Sequence, residues 1–313
     1  MGESLITRRA GGGEATITFE NYSPATNLTY ISASDLSLAR RYLAGASVGN
    51  YALFAGGYGS TVYSTVDAYN TSLTRSTPLA LSTARELLAG TSVGIYALFA
   101  GGRSYSSGSI YYSTVNSYNT SLARSTPTVL SEARCALAGA SVGDYALFAG
   151  GFAYSSGDRY YSTVDAYSKG LTRSTPTALS QARSDLAGTS VGGYALFAGG
   201  FTYSSGDRLY STVDAYNTSL TRSTPAALST ARDLLAGASV GEYALFAGGY
   251  NGNSIYSSTV DAYCDNLELS LFPNTKYKLN DMPSEQTSTS FQTLSIPKPV
   301  NGYMKIQNAT LQN

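Results

Sequence analysis

The sequence contains no histidine and no tryptophan, and it has only two cysteines among 313 residues. Without histidine, Ser-His-Asp and Cys-His catalytic arrangements and histidine-ligated metal sites are excluded. Two cysteines do not indicate a redox compartment. A catalytic function would therefore have to rest on carboxylates alone.

Charge is also scarce. Charged residues make up 13% of the chain, and 20 basic residues balance 20 acidic ones. Because no basic surface is indicated, we expect no nucleic-acid partner. No apolar run approaches the roughly 18 residues that predict a membrane helix, so we expect no membrane insertion. Residues 1–9 lack the apolar core of a signal peptide, and Ile6 stands where a myristoylation motif needs Ser or Thr.

The most prominent feature of the sequence is an internal repeat. The chain is also rich in tyrosine and glycine, with 27 and 32 residues. The phrase Tyr-Ala-Leu-Phe-Ala-Gly-Gly occurs five times, about 49 residues apart, with a first step of 45. The glycine pairs are Gly56-Gly57, Gly101-Gly102, Gly150-Gly151, Gly199-Gly200 and Gly248-Gly249. A fixed period of this length predicts a propeller, a solenoid or an array.

Each repeat predicts four short strands. Residues 51–54 and 64–69 alternate apolar or aromatic residues with small or polar ones. Residues 43–48 form a small-residue strand that a Gly-Asn turn joins to the next strand. Residues 73–77 end at a proline, which suits an outer edge. Four strands per unit predict a propeller blade, with the small-residue strand at the centre.

Residues 36–270 resemble the kelch family. Beside the glycine pairs, the resemblance rests on a tyrosine that ends the third strand, at Tyr69, Tyr118, Tyr167, Tyr216 and Tyr263. It rests also on an arginine that opens each unit, at Arg40, Arg85, Arg134, Arg183 and Arg232. The fourth-strand tryptophan of the family is missing, with Thr74 or Arg75 near its place. The resemblance implies an all-β, kelch-like β-propeller of four-stranded blades.

The chain ends set the expected number of blades. Residues 9–13 and 17–22 copy the glycine pair and the third strand, so residues 4–35 are interpreted as a degenerate first repeat. Residues 36–272 hold the five clear repeats, and 1–272 is predicted to be the propeller. We expect six blades, with five blades plus a terminal module as the alternative. The tail, residues 273–313, is expected to close the propeller through 291–296 or 302–306, or to dock to a partner.

Positions that recur in every copy are expected to be scaffold. Gly56 and Gly57 predict a bend that needs positive backbone angles or a close approach of blades. Arg85 and its equivalents are expected to bind backbone carbonyls or the Asp67-type carboxylate of a neighbouring blade. The alternative is a ring of arginines that faces the channel and binds an anion.

Positions that differ between copies are the candidates for function, and they form two sets. One set follows the repeated arginine: Arg41-Tyr42, Glu86-Leu87, Cys135-Ala136, Ser184-Asp185 and Asp233-Leu234. The other is the loop after each glycine pair, which has a Tyr-Ser-Ser-Gly tip in three copies. The kelch resemblance implies that both sets lie on one face, around the channel mouth. The candidate ligand-binding residues are Tyr105, Tyr154, Tyr203, Asp158, Arg159, Asp207, Arg208, Arg41, Glu86, Asp185 and Asp233.

The composition of these loops favours binding over catalysis. Tyrosine with Ser, Gly and Asn is the chemistry of antibody paratopes, and aromatic faces stack on sugar rings. The alternative is that the loops are merely exposed turns. Glu86, Asp185 and Asp233 are the carboxylates that could meet near the channel, and kelch propellers include sugar epimerases. We nevertheless expect a non-enzymatic protein with no catalytic residue, no cofactor and no metal.

Residues 3–13 look like the opening of virion and prophage proteins from Gram-positive bacteria. That resemblance implies a phage tail or virion appendage, located on a virion or cell surface without a signal peptide. The expected partner is a cell-surface glycan or protein, with other virion proteins bound through the termini. The alternative is a cytoplasmic kelch scaffold for protein–protein interaction.

Overall fold

The computed structural model describes residues 16–21, 31–105, 108–203, 206–252, 255–264, 268–271, 292–295 and 302–307. In this part of the chain the regular elements are all β-strands. None of these residues forms a helix long and apolar enough to cross a membrane. The chain divides into two compact units, one of Ala33–Asp265 and one of Met1–Ser32 with Asn266–Asn313.

The unit Ala33–Asp265 is a β-propeller of five blades, and each blade is an antiparallel sheet. The inner strands are Ala44–Val48, Ala89–Val93, Ala138–Val142, Ala187–Val191 and Ala236–Val240. The second strands are Tyr51–Ala55, Tyr96–Ala100, Tyr145–Ala149, Tyr194–Ala198 and Tyr243–Ala247. The third strands are Val66–Tyr69, Val115–Asn119, Val164–Ser168, Val213–Asn217 and Val260–Cys264. The outer strands are Arg75–Ser76, Arg124–Ser125, Arg173–Ser174 and Arg222–Ser223.

The predicted inner hairpin is confirmed, with Val48 opposite Tyr51 across the turn. The outer strand is shorter than the predicted 73–77. Asn70 Oδ1 accepts hydrogen bonds from the backbone N–H groups of Ser72 and Thr74, at 3.0 and 2.9 Å. This side-chain turn occupies the residues before Arg75 and leaves two residues for the ladder.

The hydrophobic core lies between blades. In the first interface Leu53 and Val66 of blade 1 pack with Phe99 and Tyr118 of blade 2. Phe99 and Tyr118 meet edge to face with ring centroids 6.0 Å apart, and the Tyr118 hydroxyl donates to the Leu79 carbonyl at 2.7 Å. The same contacts recur in the following blades. Each blade is therefore stabilised mainly by its neighbours, as in other repeat proteins.

Five blades are found in place of the expected six. Of the expected first repeat, the structure describes residues 16–21 and 31–35, and the strand Thr16–Asn21 pairs with Gly302–Gln307 in a two-stranded sheet. A second two-stranded sheet joins Glu268–Leu271 to Gln292–Ser295. Residues 4–35 have no copy of the phrase that forms the inner hairpin of each blade, and the part of them that the structure describes, residues 16–21 and 31–35, contains one strand. Residues 9–13 and most of 273–313 lie outside the described residues, so the role expected of the tail stays a prediction.

Blade 1 is exposed on the side that faces away from blade 2, and blade 5 is exposed on the side that faces away from blade 4. Phe54 in blade 1 is 36% exposed, whereas its equivalent Phe99 is fully buried. Val240 in blade 5 is 62% exposed, whereas Val191 is 6% exposed. No described blade packs against these two sides, so both keep apolar side chains in solvent.

The repeated arginines are structural. The Arg134 guanidinium is fully buried and lies 2.8 Å from Asp165 Oδ2, and it also donates to the Phe148 carbonyl. Asp165 accepts further bonds from Arg173 and from the backbone and side chain of Ser131. The carboxylate belongs to the blade that the arginine opens, so the expectation of a neighbouring blade is wrong. A ring of arginines binding an anion is excluded, because these guanidinium groups are buried and already bonded.

The glycine pair makes the predicted bend. Gly150 and Gly151 have φ angles of 69° and 114°. A Cβ atom on Gly150 would lie 2.6 Å from the Arg183 carbonyl oxygen of the next blade. Both reasons offered from the sequence therefore apply at once: a left-handed backbone and a close approach between blades.

Candidate functional site

A backbone bridge joins the two variable sets in every blade. The residue after the repeated arginine pairs antiparallel with the residue after the glycine pair. In blade 1 the Arg41 and Tyr58 backbones exchange N–H···O bonds of 2.9 and 2.8 Å. The five bridges are Arg41–Tyr58, Glu86–Arg103, Cys135–Phe152, Ser184–Phe201 and Asp233–Tyr250. The residues that differ most between copies are thus brought together at one end of the strands. We call this end the variable face.

A second row of backbone bonds links the blades along this face. Its members are the second residues of the first set: Tyr42, Leu87, Ala136, Asp185 and Leu234. The backbone N–H of Leu87 donates to the carbonyl of Tyr42 in blade 1. Each later member donates in the same way to the equivalent residue of the preceding blade, at 2.9–3.0 Å. All five have φ between 51° and 58°. Non-glycine residues seldom adopt this conformation, and the inter-blade bonds account for it here. Side chains at these positions are consequently held close to those of the next blade.

Three of the variable loops are two-stranded ribbons, a feature that the sequence interpretation missed. Their strands are Arg103–Tyr105 with Ser109–Tyr111, Phe152–Tyr154 with Asp158–Tyr160, and Phe201–Tyr203 with Asp207–Leu209. The signal was present, because each loop has an aromatic residue on both sides of a Ser-Ser-Gly turn. Ribbons hold the loop side chains on regular backbone rather than on irregular turns.

The three candidate tyrosines stand at equivalent ribbon positions. Tyr105, Tyr154 and Tyr203 each end the first ribbon strand, and each ring is about half exposed. Tyr154 lies directly opposite Asp158, and Tyr203 directly opposite Asp207. Residues 106–107 and 204–205, in the tips, lie outside the described residues.

Aromatic rings form a continuous row across the three ribbons. Tyr111 meets Phe152 at 6.0 Å, Phe152 meets Tyr160 at 5.1 Å, and Tyr160 meets Phe201 at 6.0 Å between ring centroids. The row runs from the ribbon of blade 2 through blade 3 to blade 4. Edge-to-face and tilted contacts of this kind each stabilise by about 0.5–1.5 kcal/mol beyond simple burial. The three ribbons are therefore coupled into one layer.

The charged candidates on the ribbons are exposed. Asp158, Arg159, Asp207 and Arg208 all face solvent. The Arg159 guanidinium lies over the Tyr161 ring at 5.0 Å, and that of Arg208 over the Tyr210 ring at 5.2 Å. Such stacking limits the motion of a side chain without using its hydrogen-bond donors. Arg159 also lies 3.7 Å from Glu132 in an exposed ion pair, and the side chains of all four residues remain accessible to a ligand.

The three acidic candidates of the channel differ from one another. Glu86 is buried and accepts a hydrogen bond from Arg103 Nε at 3.1 Å. Burial raises the pKa of Asp185, against the bond that Ser184 donates to it at 2.7 Å. Burial, and then the charge of Asp185, raises the pKa of Asp233 to about 6. The charge of Asp185 thus acts on Asp233, while Glu86 is bound to an arginine.

Cys135 takes the corresponding position in blade 3, where it is buried. Burial raises the pKa of its thiol to about 12. A thiol with that pKa is almost entirely protonated at neutral pH and is a poor nucleophile. Among the described residues, no group of three or more acidic or cysteine side chains is placed to hold a metal ion.

A cleft of about 440 Å³ opens on the variable face at blades 1 and 2. Two of the predicted site residues from one set, Arg41 and Glu86, line it together with Tyr105 from the other. The rest of its lining is Tyr42, Tyr58, Ser60, Thr61, Val62 and Arg103. Tyr42, Tyr58 and Arg103 were not among the candidates, although each occupies a variable position in the sequence.

The opposite ends of the strands carry a third variable position that the sequence interpretation also missed. It lies in the turn of the inner hairpin and is occupied by Asn50, Ile95, Asp144, Gly193 and Glu242. One variable residue per turn offers far less differing surface than the two sets of the variable face.

No family model matches the chain, and no curated protein matches it in sequence. Among solved structures, that of YjhT is similar, with a TM-score of 0.62 over 79% of this chain and 88% of that chain. The two sequences are 11% identical, so the similarity shows the β-propeller fold alone. The kelch resemblance rests on the repeated residues themselves.

Proposed function

We propose that this protein is a non-enzymatic recognition propeller that binds a glycan through its variable face. The observation that carries the proposal is the backbone bridge between the two variable sets, which gathers the residues that differ between otherwise near-identical blades. A scaffold alone needs the same residue in each blade, whereas a recognition surface needs different ones. The kelch relationship, implied by the repeated glycine, tyrosine and arginine, is part of this proposal.

The chemistry of the face supports a glycan. Tyr105, Tyr154 and Tyr203 present half-exposed rings with hydroxyl groups, and exposed Asp and Arg side chains stand beside them. A sugar offers an apolar ring face to an aromatic side chain and hydroxyls to carboxylates and guanidinium groups. Because the ribbons and the aromatic row hold these side chains in place, less conformational entropy is lost on binding.

The setting that we propose is a virion or a cell surface, as a phage tail or similar appendage. It rests on residues 3–13, which lie outside the described residues. A cytoplasmic protein-binding scaffold is the alternative function, since a tyrosine-rich, paratope-like face also suits a protein partner. If the protein captures one protein partner and binds no glycan, the scaffold alternative is favoured.

The test is a glycan-array and host-cell binding screen of the purified protein and two triple variants. Replacing Tyr105, Tyr154 and Tyr203 by alanine removes the rings, whereas replacing them by phenylalanine keeps the rings and removes the hydroxyls. We expect the wild type to bind a restricted set of glycans, the alanine variant to lose that binding, and the phenylalanine variant to retain most of it.

The matched control is Ile95→Ala, which changes an exposed side chain at the opposite end of blade 2. It should bind as the wild type does. The proposal would be overturned if the alanine variant kept glycan binding and Ile95→Ala lost it. Recognition would then lie at the end of the strands opposite the variable face.

A further inference from the structure

The cleft at blades 1 and 2 differs from the rest of the variable face because the blade 1 loop is short. In place of a ribbon, Tyr58 pairs directly with Val62 in a single bridge. The ribbon of blade 2 stands beside it and presents Tyr105. The step in height between a short loop and a ribbon leaves the space of about 440 Å³. That volume is within the roughly 300–1,000 Å³ typical of small-molecule sites.

Arg41 is exposed in this cleft, and in the part of the chain that the structure describes it is not paired with a countercharge. Among the described residues, no carboxylate lies within ion-pair distance of its guanidinium and its side chain makes no hydrogen bond; its contacts are the backbone bridge to Tyr58 and two aromatic rings. The group lies 4.9 Å from the centre of the Tyr42 ring and 5.5 Å from that of Tyr58. These two cation–π contacts hold the guanidinium beside both rings and leave its N–H donors available.

The second arginine of the cleft does not cancel that charge. Arg103 pairs with Glu86 at 3.1 Å and stacks on Tyr105 at 4.7 Å. Two arginines and one carboxylate therefore line the cleft and leave one unbalanced positive charge. Arginine recognises carboxylate and phosphate oxygens by paired hydrogen bonds. The cleft thus favours an anion over a neutral ligand.

The remaining walls suit a sugar. Tyr42, Tyr58 and Tyr105 supply aromatic surface, while Ser60 and Thr61 supply hydroxyls. Ser60 Oγ lies 3.0 Å from the Tyr63 hydroxyl, which orients this short loop. We propose that this cleft binds an acidic saccharide unit, whose carboxylate or phosphate pairs with Arg41 while its ring lies against the tyrosines. The inference rests on the proposed function and adds the chemical class of the ligand and the place where its charge binds.

Titration of the wild-type protein with matched probes tests the inference. The probes are digalacturonate, galactose 6-phosphate and neutral galactobiose, with binding followed by isothermal titration calorimetry or ligand-observed NMR. We expect at least one acidic probe to bind roughly tenfold or more tightly than galactobiose. Which acidic probe binds identifies the anionic group as carboxylate or phosphate. The preference should shrink as salt is raised, since an exposed ion pair is screened.

Three variants locate the charge. Arg41→Gln should abolish the preference for acidic probes, and Arg41→Lys should restore part of it, because lysine keeps the charge but lacks the planar fork. Lys169→Gln removes one positive charge from the opposite end of blade 3 and should change nothing. Equal affinity for acidic and neutral probes in the wild type, or a preference that survives Arg41→Gln, would overturn the inference.

The two proposals can fail separately. A protein that binds only neutral glycans, and loses them in the alanine triple variant, keeps the recognition function and overturns the acidic ligand. If the protein binds no glycan on the array and none of the three probes, both the recognition function and the acidic ligand are overturned.

Discussion

Arg85 Nη2 donates a hydrogen bond to Asn116 Oδ1 at 3.0 Å, at the place where the other four blades pair the equivalent arginine with an aspartate. The guanidinium is fully buried. Burial lowers the pKa of Arg85 to about 10. Blade 2 therefore contains a buried positive charge that has an amide for a partner instead of a carboxylate.

Asn116→Asp should stabilise the protein at pH 7. The new carboxylate would balance the charge of Arg85 and could accept a bond from Arg124, as Asp165 does from Arg173. A hydrogen bond to a charged group contributes about 1.5–3 kcal/mol, so a rise of about 1–2 kcal/mol in the free energy of unfolding is expected by urea titration.

The mirror variant, Asp165→Asn, is the control for that experiment. It leaves the buried Arg134 with an amide partner, the arrangement that Arg85 has in blade 2, and should cost about 1.5–3 kcal/mol. A loss of stability in Asn116→Asp, or no loss in Asp165→Asn, would contradict the structural role given to these pairs.

Gly150→Ala should destabilise the propeller severely. The new Cβ would collide with the Arg183 carbonyl at 2.6 Å and would force a non-glycine residue to φ 69°. The strained backbone alone costs about 1–2 kcal/mol, and the collision adds to it. Gly157→Ala is the matched change in a ribbon tip, where a Cβ meets nothing within 4 Å, and thermal unfolding should barely distinguish it from the wild type.

Asp233→Asn should stabilise the protein above pH 6 and have no effect near pH 3.5. The pKa of Asp233 is raised to about 6 from 3.8, mainly by burial. The folded protein therefore holds this proton more tightly than the unfolded chain, and its stability falls as the pH rises between those two values. Removing the charge should recover about 1–2 kcal/mol at pH 7.5. A gain of equal size at both pH values would mean that titration of Asp233 is not the cause.

The two cysteines should differ widely in reactivity. Cys135 is buried with a thiol pKa raised to about 12, while Cys264 is exposed. Native protein treated with Ellman's reagent should show one fast thiol, which Cys264→Ser removes, and a second that reacts only on unfolding. Two equally fast thiols in the native protein would contradict the burial of Cys135.

The blade could be predicted from sequence because each of its determinants repeats. The glycine pair, the inner hairpin and the third-strand tyrosine each appear five times, so chance patterns average out. The blade number was wrong because it rested on residues 4–35, where a single glycine pair and one strand pattern occur without the inner hairpin.

The variable face was predictable only in part. Its two variable sets could be found by comparing the copies of the repeat. The bridge between Arg41 and Tyr58 could not, because it depends on backbone pairing within the folded blade, which a comparison of sequences does not show. The left-handed backbone at Tyr42 and Asp185 has no sequence signature, since Tyr, Leu, Ala and Asp all adopt it. The inter-blade hydrogen bonds impose it whatever the side chain.

Hydrogen exchange with and without the glycan that gives the strongest array signal tests the central claim most directly. Binding at the variable face should slow amide exchange in residues 103–111, 152–160 and 201–209, and leave the inner-hairpin turns around Ile95 and Asp144 unchanged. Slowing confined to those turns, with no change in the three ribbons, would contradict the assignment of recognition to the variable face.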